Sequence, residues 1–201
     1  SLMSSHLLNN PSDIAMRRAT STEESDRLFI VNSGDGSLSV YSILRSQNVV
    51  APSKFTTDGT FQAIGVDVDD TYTVVKRTIN SATKDLVEIF DSSLHTDAAV
   101  YVSATTATAT AAHLPSTTVD ILNDGNVEAQ QTTNGSGEVT MTRASTSNYE
   151  LGIPFTINIK TMPVEPRLPS GTVKGFKKRI VQVNAEVHQS KAMTVNGQLV
   201  P

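Results

Sequence analysis

Cysteine and tryptophan are both absent from this 201-residue chain. The first absence excludes disulfides, thiolate metal centres and cysteine nucleophiles together. Aromatic residues are scarce, 4 Tyr and 6 Phe, so any core is built from small aliphatic side chains and is thin. Long apolar runs are missing as well. Every apolar segment falls far short of the roughly 20 residues a membrane-spanning helix needs, and no basic-then-apolar leader opens the chain, so no membrane insertion is expected. There is no basic excess either: 16 Lys+Arg stand against 20 Asp+Glu, a formal charge of −4. Proteins that bind nucleic acid along their whole surface draw affinity from displaced phosphate counterions, which disfavours that class here.

The chemistry-bearing motifs are missing too. No G-x-S-x-G elbow, phosphate-cradling glycine loop or dinucleotide fingerprint occurs. His6, His95, His113 and His188 are scattered and none stands in a zinc-binding order. No cofactor, metal or catalytic residue is expected, and the chain is read as a non-enzyme.

What is present reads as an all-β protein of antiparallel strands. Residues 1–25 form an N-terminal region, with a short helix expected within Ser4 to Arg18, interrupted by Pro11, and a polar linker from Ala19 to Ser25. Residues 26–101 alternate in strand fashion. Arg27 to Asn32, a Gly34-Asp35-Gly36 turn, Leu38 to Leu44, Gln47 to Thr56 and Phe61 to Val68 read as a meander, which then recurs: Asp70 to Arg77 matches Asp26 to Ser33, and Asp85 to Phe90 falls where Leu38 to Ile43 fell. A repeat of about 45 residues made of short strands has the spacing of β-propeller blades. One blade and part of another cannot close a ring, so the alternatives are a portion of a larger array and an open sandwich.

Ser92 to Ala99 can form one helical turn, and residues 102–116, with the low-complexity run Val102 to Ala112, are expected to be a linker or exposed edge, since they carry no bulky side chain to anchor a core. Residues 117–201 are read as a small β-sandwich or barrel. Its strands are Thr117 to Leu122, Asn126 to Gln130, Glu138 to Thr142, Tyr149 to Ile153, Phe155 to Met162 and Lys178 to Val187, with a hairpin turn at Asn123-Asp124-Gly125. Met193 to Val200, around Asn196-Gly197, reads as a clipped hairpin.

Three charged groupings stand out. Asp67, Asp69 and Asp70 are the densest acidic cluster, a Ca²⁺ candidate whose commoner reading is a solvated turn, because the glycine and bidentate Glu of a calcium loop are missing. Glu88 with Asp91 or Asp85 is a nominal carboxylate pair for glycoside hydrolysis. Lys174, Lys177, Lys178 and Arg179 form a basic patch suited to DNA or to a protein partner, and equally suited to keeping an edge strand soluble; Lys76 and Arg77 are a weaker basic pair with the same readings.

Several segments, in order, carry a family resemblance: Ser1-Leu2-Met3-Ser4-Ser5-His6-Leu7-Leu8, Asp35-Gly36-Ser37-Leu38-Ser39, Thr56-Thr57-Asp58-Gly59-Thr60-Phe61, Val74-Val75-Lys76-Arg77-Thr78-Ile79-Asn80, Leu86-Val87-Glu88-Ile89-Phe90, Leu151-Gly152-Ile153-Pro154-Phe155 and Lys177-Lys178-Arg179-Ile180. The chain resembles the tail nozzle (tail tubular protein B-like) and related stabilisation proteins of tailed bacteriophages and prophages, on the C-terminal side of such a subunit. Where family members often have an aromatic-rich third strand, this chain has Asn48-Val49-Val50-Ala51-Pro52. The resemblance implies a virion structural protein, made in the host cytoplasm and assembled as a ring homo-oligomer with other tail proteins around the genome's exit channel. It implies phage DNA as a transient contact and brings no catalytic residue. The alternative is a host receptor- or glycan-binding tail module with depolymerase activity, for which ten aromatics and no Trp supply a poor stacking platform.

Overall fold

The computed structural model describes residues 6–159, 177, 179, 182–186 and 193–199. The chain divides into two compact units, residues 1–155 and 156–201. It is all-β, built from several antiparallel sheets with no closed barrel, and no α-helix occurs among the described residues.

The first unit opens on a four-stranded meander of β1 (Pro11–Arg17), β2 (Asp26–Asn32), β3 (Ser37–Leu44) and β4 (Val49–Phe55), in spatial order β1-β2-β3-β4. A three-stranded meander follows, of β5 (Thr60–Asp67), β6 (Asp70–Ile79) and β7 (Ala82–Ile89). The expected N-terminal helix is therefore corrected to strand β1. Its ladder with β2 pairs Ile14 with Ile30 and Met16 with Leu28. Pro11 sits at the first position of an edge strand, where a missing N–H costs little. Ala15 turns inward onto the core, so a two-residue alternation prevails over the helical spacing.

The two meanders pack face to face over a core of Phe29, Val31, Leu38, Val40, Phe61, Ile64 and Val75. Phe90 closes this core, with Phe29, Phe55 and Phe61 at ring-centroid distances of 6.1, 6.0 and 6.5 Å. Four of the six phenylalanines thus join the two sheets in one cluster. The sheets are also tied through polar groups: Asp13 at the β1 bulge accepts the Ile64 N–H at 3.0 Å, and Gly36 O accepts the Phe61 N–H at 2.9 Å. At one end, buried Asn32 donates to Ser39 Oγ at 2.8 Å and to Leu7 O at 3.0 Å, and accepts the Asn9 N–H at 3.0 Å, which fixes the segment ahead of β1.

β6 links this core to the next. Its inward side chains run Val75, Arg77, Ile79; Val75 belongs to the first core and Ile79 to a second, with Arg77 buried between them. The second core rests on a sheet of β8 (Asp97–Val102), β10 (Thr118–Asn123), β11 (Asn126–Val127) and β14 (Tyr149–Ile153), ordered β11-β10-β14-β8, with β12 (Gln131–Thr132) beside β10. A two-stranded ladder of β9 (Thr108–Thr110) and β13 (Glu138–Thr140) covers it.

Two expectations change here. The Ser92–Ala99 stretch gives turns and the start of β8 instead of a helical turn. The low-complexity run is no inert linker: it contributes the end of β8 and all of β9, and Ala109, Ala111 and nearby Leu114 lie buried in the second core. Small side chains are what let β9 approach its neighbours closely. Described residues 154–159 and 182–186 carry no regular structure where strands were expected, because no neighbouring strand among the described residues offers them a ladder; residues 160–162 and Lys178, Ile180, Val181 and Val187 of the two expected strands lie outside the described residues. In the second unit, β15 (Thr194–Val195) and β16 (Gln198–Leu199) form the expected hairpin around Asn196-Gly197, both at positive φ.

The Asp124-Gly125 turn, with φ of 48° and 75°, does more than reverse the chain. The Asp124 carboxylate accepts the backbone N–H of Thr146 at 2.9 Å, of Asn148 at 3.1 Å and of Ser147 at 2.8 Å, as well as Arg143 Nη1 at 3.0 Å. These donors, Thr146 first, hold its carboxyl well below the usual carboxylate range. Asp35 is held low in the same way by Lys54 at 2.6 Å and by Ser37. A carboxyl depressed in the folded state adds stability that is complete above its unfolded value and is lost as pH falls through the folded value. Stability is therefore expected to be flat near neutrality and to fall below about pH 4. Asp124→Asn should flatten part of that acid limb, read from urea denaturation at pH 7, 4 and 3. An unchanged acid limb would mean that this carboxylate does not control it.

Candidate assembly surface

Within the first unit, the residues singled out in the sequence do not converge. Lys177 and Arg179 are exposed in the second unit, while Lys174 and Lys178 lie outside the described residues. Asp67, Asp69 and Asp70 are exposed at the β5–β6 hairpin tip, and no group of three metal-ligating side chains occurs among the described residues. Glu88 points inward and chelates Arg77, whereas Asp85, three residues along β7 and paired with Lys76, lies on the opposite side of the sheet. The two carboxylates cannot face one substrate. Asp91 is occupied with the N–H and hydroxyl of Ser93, at 2.8 and 2.6 Å. An open depression of about 510 Å³ beside Ser33–Gly36 and Thr60 is lined by a single carboxylate, Asp35, already bound to Lys54 and Ser37.

What the fold does concentrate is apolar surface. In the four-stranded sheet, alternate side chains face away from the core. The ladders place Met16, Leu28, Tyr41 and Pro52 in one row across all four strands, with Ile14, Ile30, Ser39 and Lys54 in the row on one side and Asp26, Ile43 and Val50 in the row on the other. Ile14 is 61% exposed and Val50 56%. The three-stranded sheet repeats the feature on its own outer side. Gly65, Tyr72 and Ile89 form one row and Ala63, Val74 and Val87 the next, with Val87 76% exposed. Each outer face thus exposes apolar side chains, although the Asn32, Ser37 and Ser39 end of the four-stranded face is covered by Leu7–Asn9. Soluble monomers seldom leave such contiguous patches open to water.

Charge marks the ends of these faces. The Ile43–Val50 row itself begins at Asp26, flanked by Arg18 and Arg45; Arg45 contacts it at 2.8 Å, and its carboxyl is held low first by the Ala19 N–H and then by these arginines. Beyond the Tyr72 row stand the paired Asp67 and Asp70, and between them Val68, 79% exposed, holds φ at +54°. That conformation is costly for a β-branched residue. Arg17 Nε donates to Asp69 O at 2.9 Å, so the arginine end of one sheet and the aspartate tip of the other lie at the same end of the sandwich.

The signal for this surface was in the sequence. In Arg27 to Asn32, apolar Leu28 and Ile30 alternate with apolar Phe29 and Val31, and a strand without polar alternation is one with two faces to bury. No protein-family model matches the chain, and a search of curated proteins returns no significant relative.

Proposed function

We propose that this chain is a structural component of a bacteriophage tail, part of the nozzle or tube assembly that conducts the genome, and that it acts through protein–protein contacts. The observation that carries this reading is the set of exposed apolar side chains in the outer rows of the two meanders, among them Ile14, Val50, Val87 and Ile89, which suit docking between proteins. The resemblance of its ordered motifs to tail nozzle and stabilisation proteins supports it. The engagement of Glu88 by Arg77 and of Asp91 by Ser93 weighs against the depolymerase alternative, which needs two carboxylates flanking one bond.

The test is the composition of the virion. Particles purified from a strain producing the chain with an affinity tag are expected to contain it at the tail in electron micrographs and in peptide mass spectra. Its absence from intact particles would overturn the reading. Turnover of host polysaccharide by the purified protein would replace it with the depolymerase alternative.

A further inference from the structure

We infer that the chain carries a processing site, the peptide bond between Thr156 and Ile157, which the folded protein leaves open to an endoprotease that binds a branched apolar side chain just after the bond it cuts. The inference goes beyond the assembly reading and does not depend on it.

An endoprotease takes its substrate as an unpaired strand and pairs it with the edge of its own cleft. A site in a folded protein therefore needs backbone groups without partners, accessible side chains, and enough such chain on both sides of the bond. Residues 154–156 and 157–159 meet these needs. They carry neither strand, turn nor bend, and no hydrogen bond holds them among the described residues. The cause is local. Strand β14 ends at Ile153, paired with Asp97, and Pro154 has no N–H with which to extend the ladder. Beyond it Phe155, Ile157 and Ile159 are all exposed, alternating in sequence with Thr156 and Asn158.

Exposure alone does not select the bond. Val87 is 76% exposed and Ile157 75%, but Val87 stands in β7 with its backbone laddered to Val74. Val68 is more exposed still, yet it sits in a two-residue turn bracketed by the paired Asp67 and Asp70, where the chain reverses too tightly to lie along a cleft. Residues 20–23 are exposed too. There Glu24 and Asp26 accept the N–H groups of Thr20 and Ala19, and no large apolar side chain is offered.

Cutting at Thr156 leaves the first unit's interior whole, since the buried residues of both cores lie at or before Ile153. The charge divides unequally. Up to Thr156 there are 9 Lys+Arg against 18 Asp+Glu, and from Ile157 onward 7 against 2. Hydrolysis places the OH of water on the Thr156 carbonyl carbon and its hydrogen on the Ile157 nitrogen as the C–N bond breaks; the acid's proton then passes to the amine. The products are an acidic two-core body and a basic remainder, so any contact made through Lys177 and Arg179 is lost to the body on cleavage.

Thermolysin, which prefers a large apolar residue after the cut bond, tests this on the intact chain at neutral pH. A time course followed by mass spectrometry should show residues 1–156 accumulating as the resistant product. That product should bind an anion exchanger more tightly than the parent and still unfold cooperatively. The Leu86–Val87 bond should stay intact meanwhile, because cutting a laddered strand must wait for opening. Ile157→Asp should slow the product's appearance by about tenfold or more, the discrimination an apolar pocket supplies, whereas Ile157→Leu should keep it within about twofold. Both variants should melt as the parent does, since the side chain is exposed. A resistant product ending beyond Thr156, a cut within residues 6–153 at a comparable rate, or an undiminished rate in Ile157→Asp would each overturn the inference. Loss of cooperative unfolding in residues 1–156 would overturn it as well, because the cut would then destroy the body instead of releasing it.

Discussion

Arg77→Met should cost this protein roughly 3–5 kcal/mol of unfolding free energy, the loss expected when one partner is removed from a buried ionic cluster and the others remain charged. The Arg77 side chain is 1% exposed, and all of its N–H groups are used. Nε and Nη2 hold Glu88 in a fork at 2.7 and 2.8 Å, Nη1 and Nη2 hold Asp97 at 3.1 and 2.9 Å, and Nη1 also donates to Asp58 O at 2.8 Å. Burial alone would favour losing the proton, but Glu88 and Asp97 outweigh it and leave the guanidinium still harder to deprotonate than usual. Asp97 begins β8 and Glu88 lies on β7, so this one side chain joins the three-stranded sheet to the sheet that carries the second core.

Lysine cannot replace it. An ammonium has three donors radiating from a point and cannot serve two carboxylates and a carbonyl in one plane. Arg77→Lys is therefore expected to recover less than half of the loss. Combining Arg77→Met with Glu88→Gln and Asp97→Asn should recover more, because it removes the stranded charges. Urea denaturation of the set at pH 7 decides the matter. A loss below about 1 kcal/mol for Arg77→Met would place the cluster among surface ion pairs, which contribute little.

How much of this was readable beforehand follows from how local each determinant is. The hairpins at Asn123-Asp124-Gly125 and Asn196-Gly197 were legible because a two-residue turn needs positive φ, and Asn, Asp and Gly tolerate it. The strands between Asp26 and Ile89 were legible because alternation is written in consecutive residues. Strand β1 was not, since what makes Pro11–Arg17 extended is a partner in β2 that supplies its ladder, and Pro11 with Leu7, Leu8, Ile14 and Met16 is equally compatible with a broken helix. Arg77 read as half of a basic surface pair with Lys76. Alternation with Val75 and Ile79 turns it inward while Lys76 turns out, and only the distant Asp97 shows what that burial is for. The outer rows of the four-stranded sheet were written in Leu28, Ile30, Tyr41 and Ile43, but which rows they share is set by pairing between strands.

The least legible element, the Ala- and Thr-rich run, gives the second large effect. Gly137→Ala is expected to destabilise the protein by about 2–4 kcal/mol, a sum of left-handed strain and overpacking against backbone. Gly137 has φ +81°, and a Cβ there would overlap Ala111 O and lie 2.7 Å from Ala111 C and 3.0 Å from Ala112 Cα. None of these atoms is free to give way. Ala111 O accepts the Leu114 N–H at 2.8 Å, Ala111 N–H donates to Gly137 O at 2.8 Å, and Ala111 and Leu114 are both buried in the second core. The added methyl must therefore push β9 away from β13, and the Leu114 amide, protected in the parent, should exchange faster with solvent hydrogen. Gly135, two residues earlier in the same turn, is the control. It has no positive φ and open space around its would-be Cβ, so Gly135→Ala should stay within about 0.5 kcal/mol of the parent. In Gly135-Ser136-Gly137 the two glycines look alike, and what separates them is the alanine backbone that one of them touches. If both substitutions proved equally mild, the close approach of β9 to the 134–137 turn would not be the reason this stretch of the chain is built from alanine and threonine.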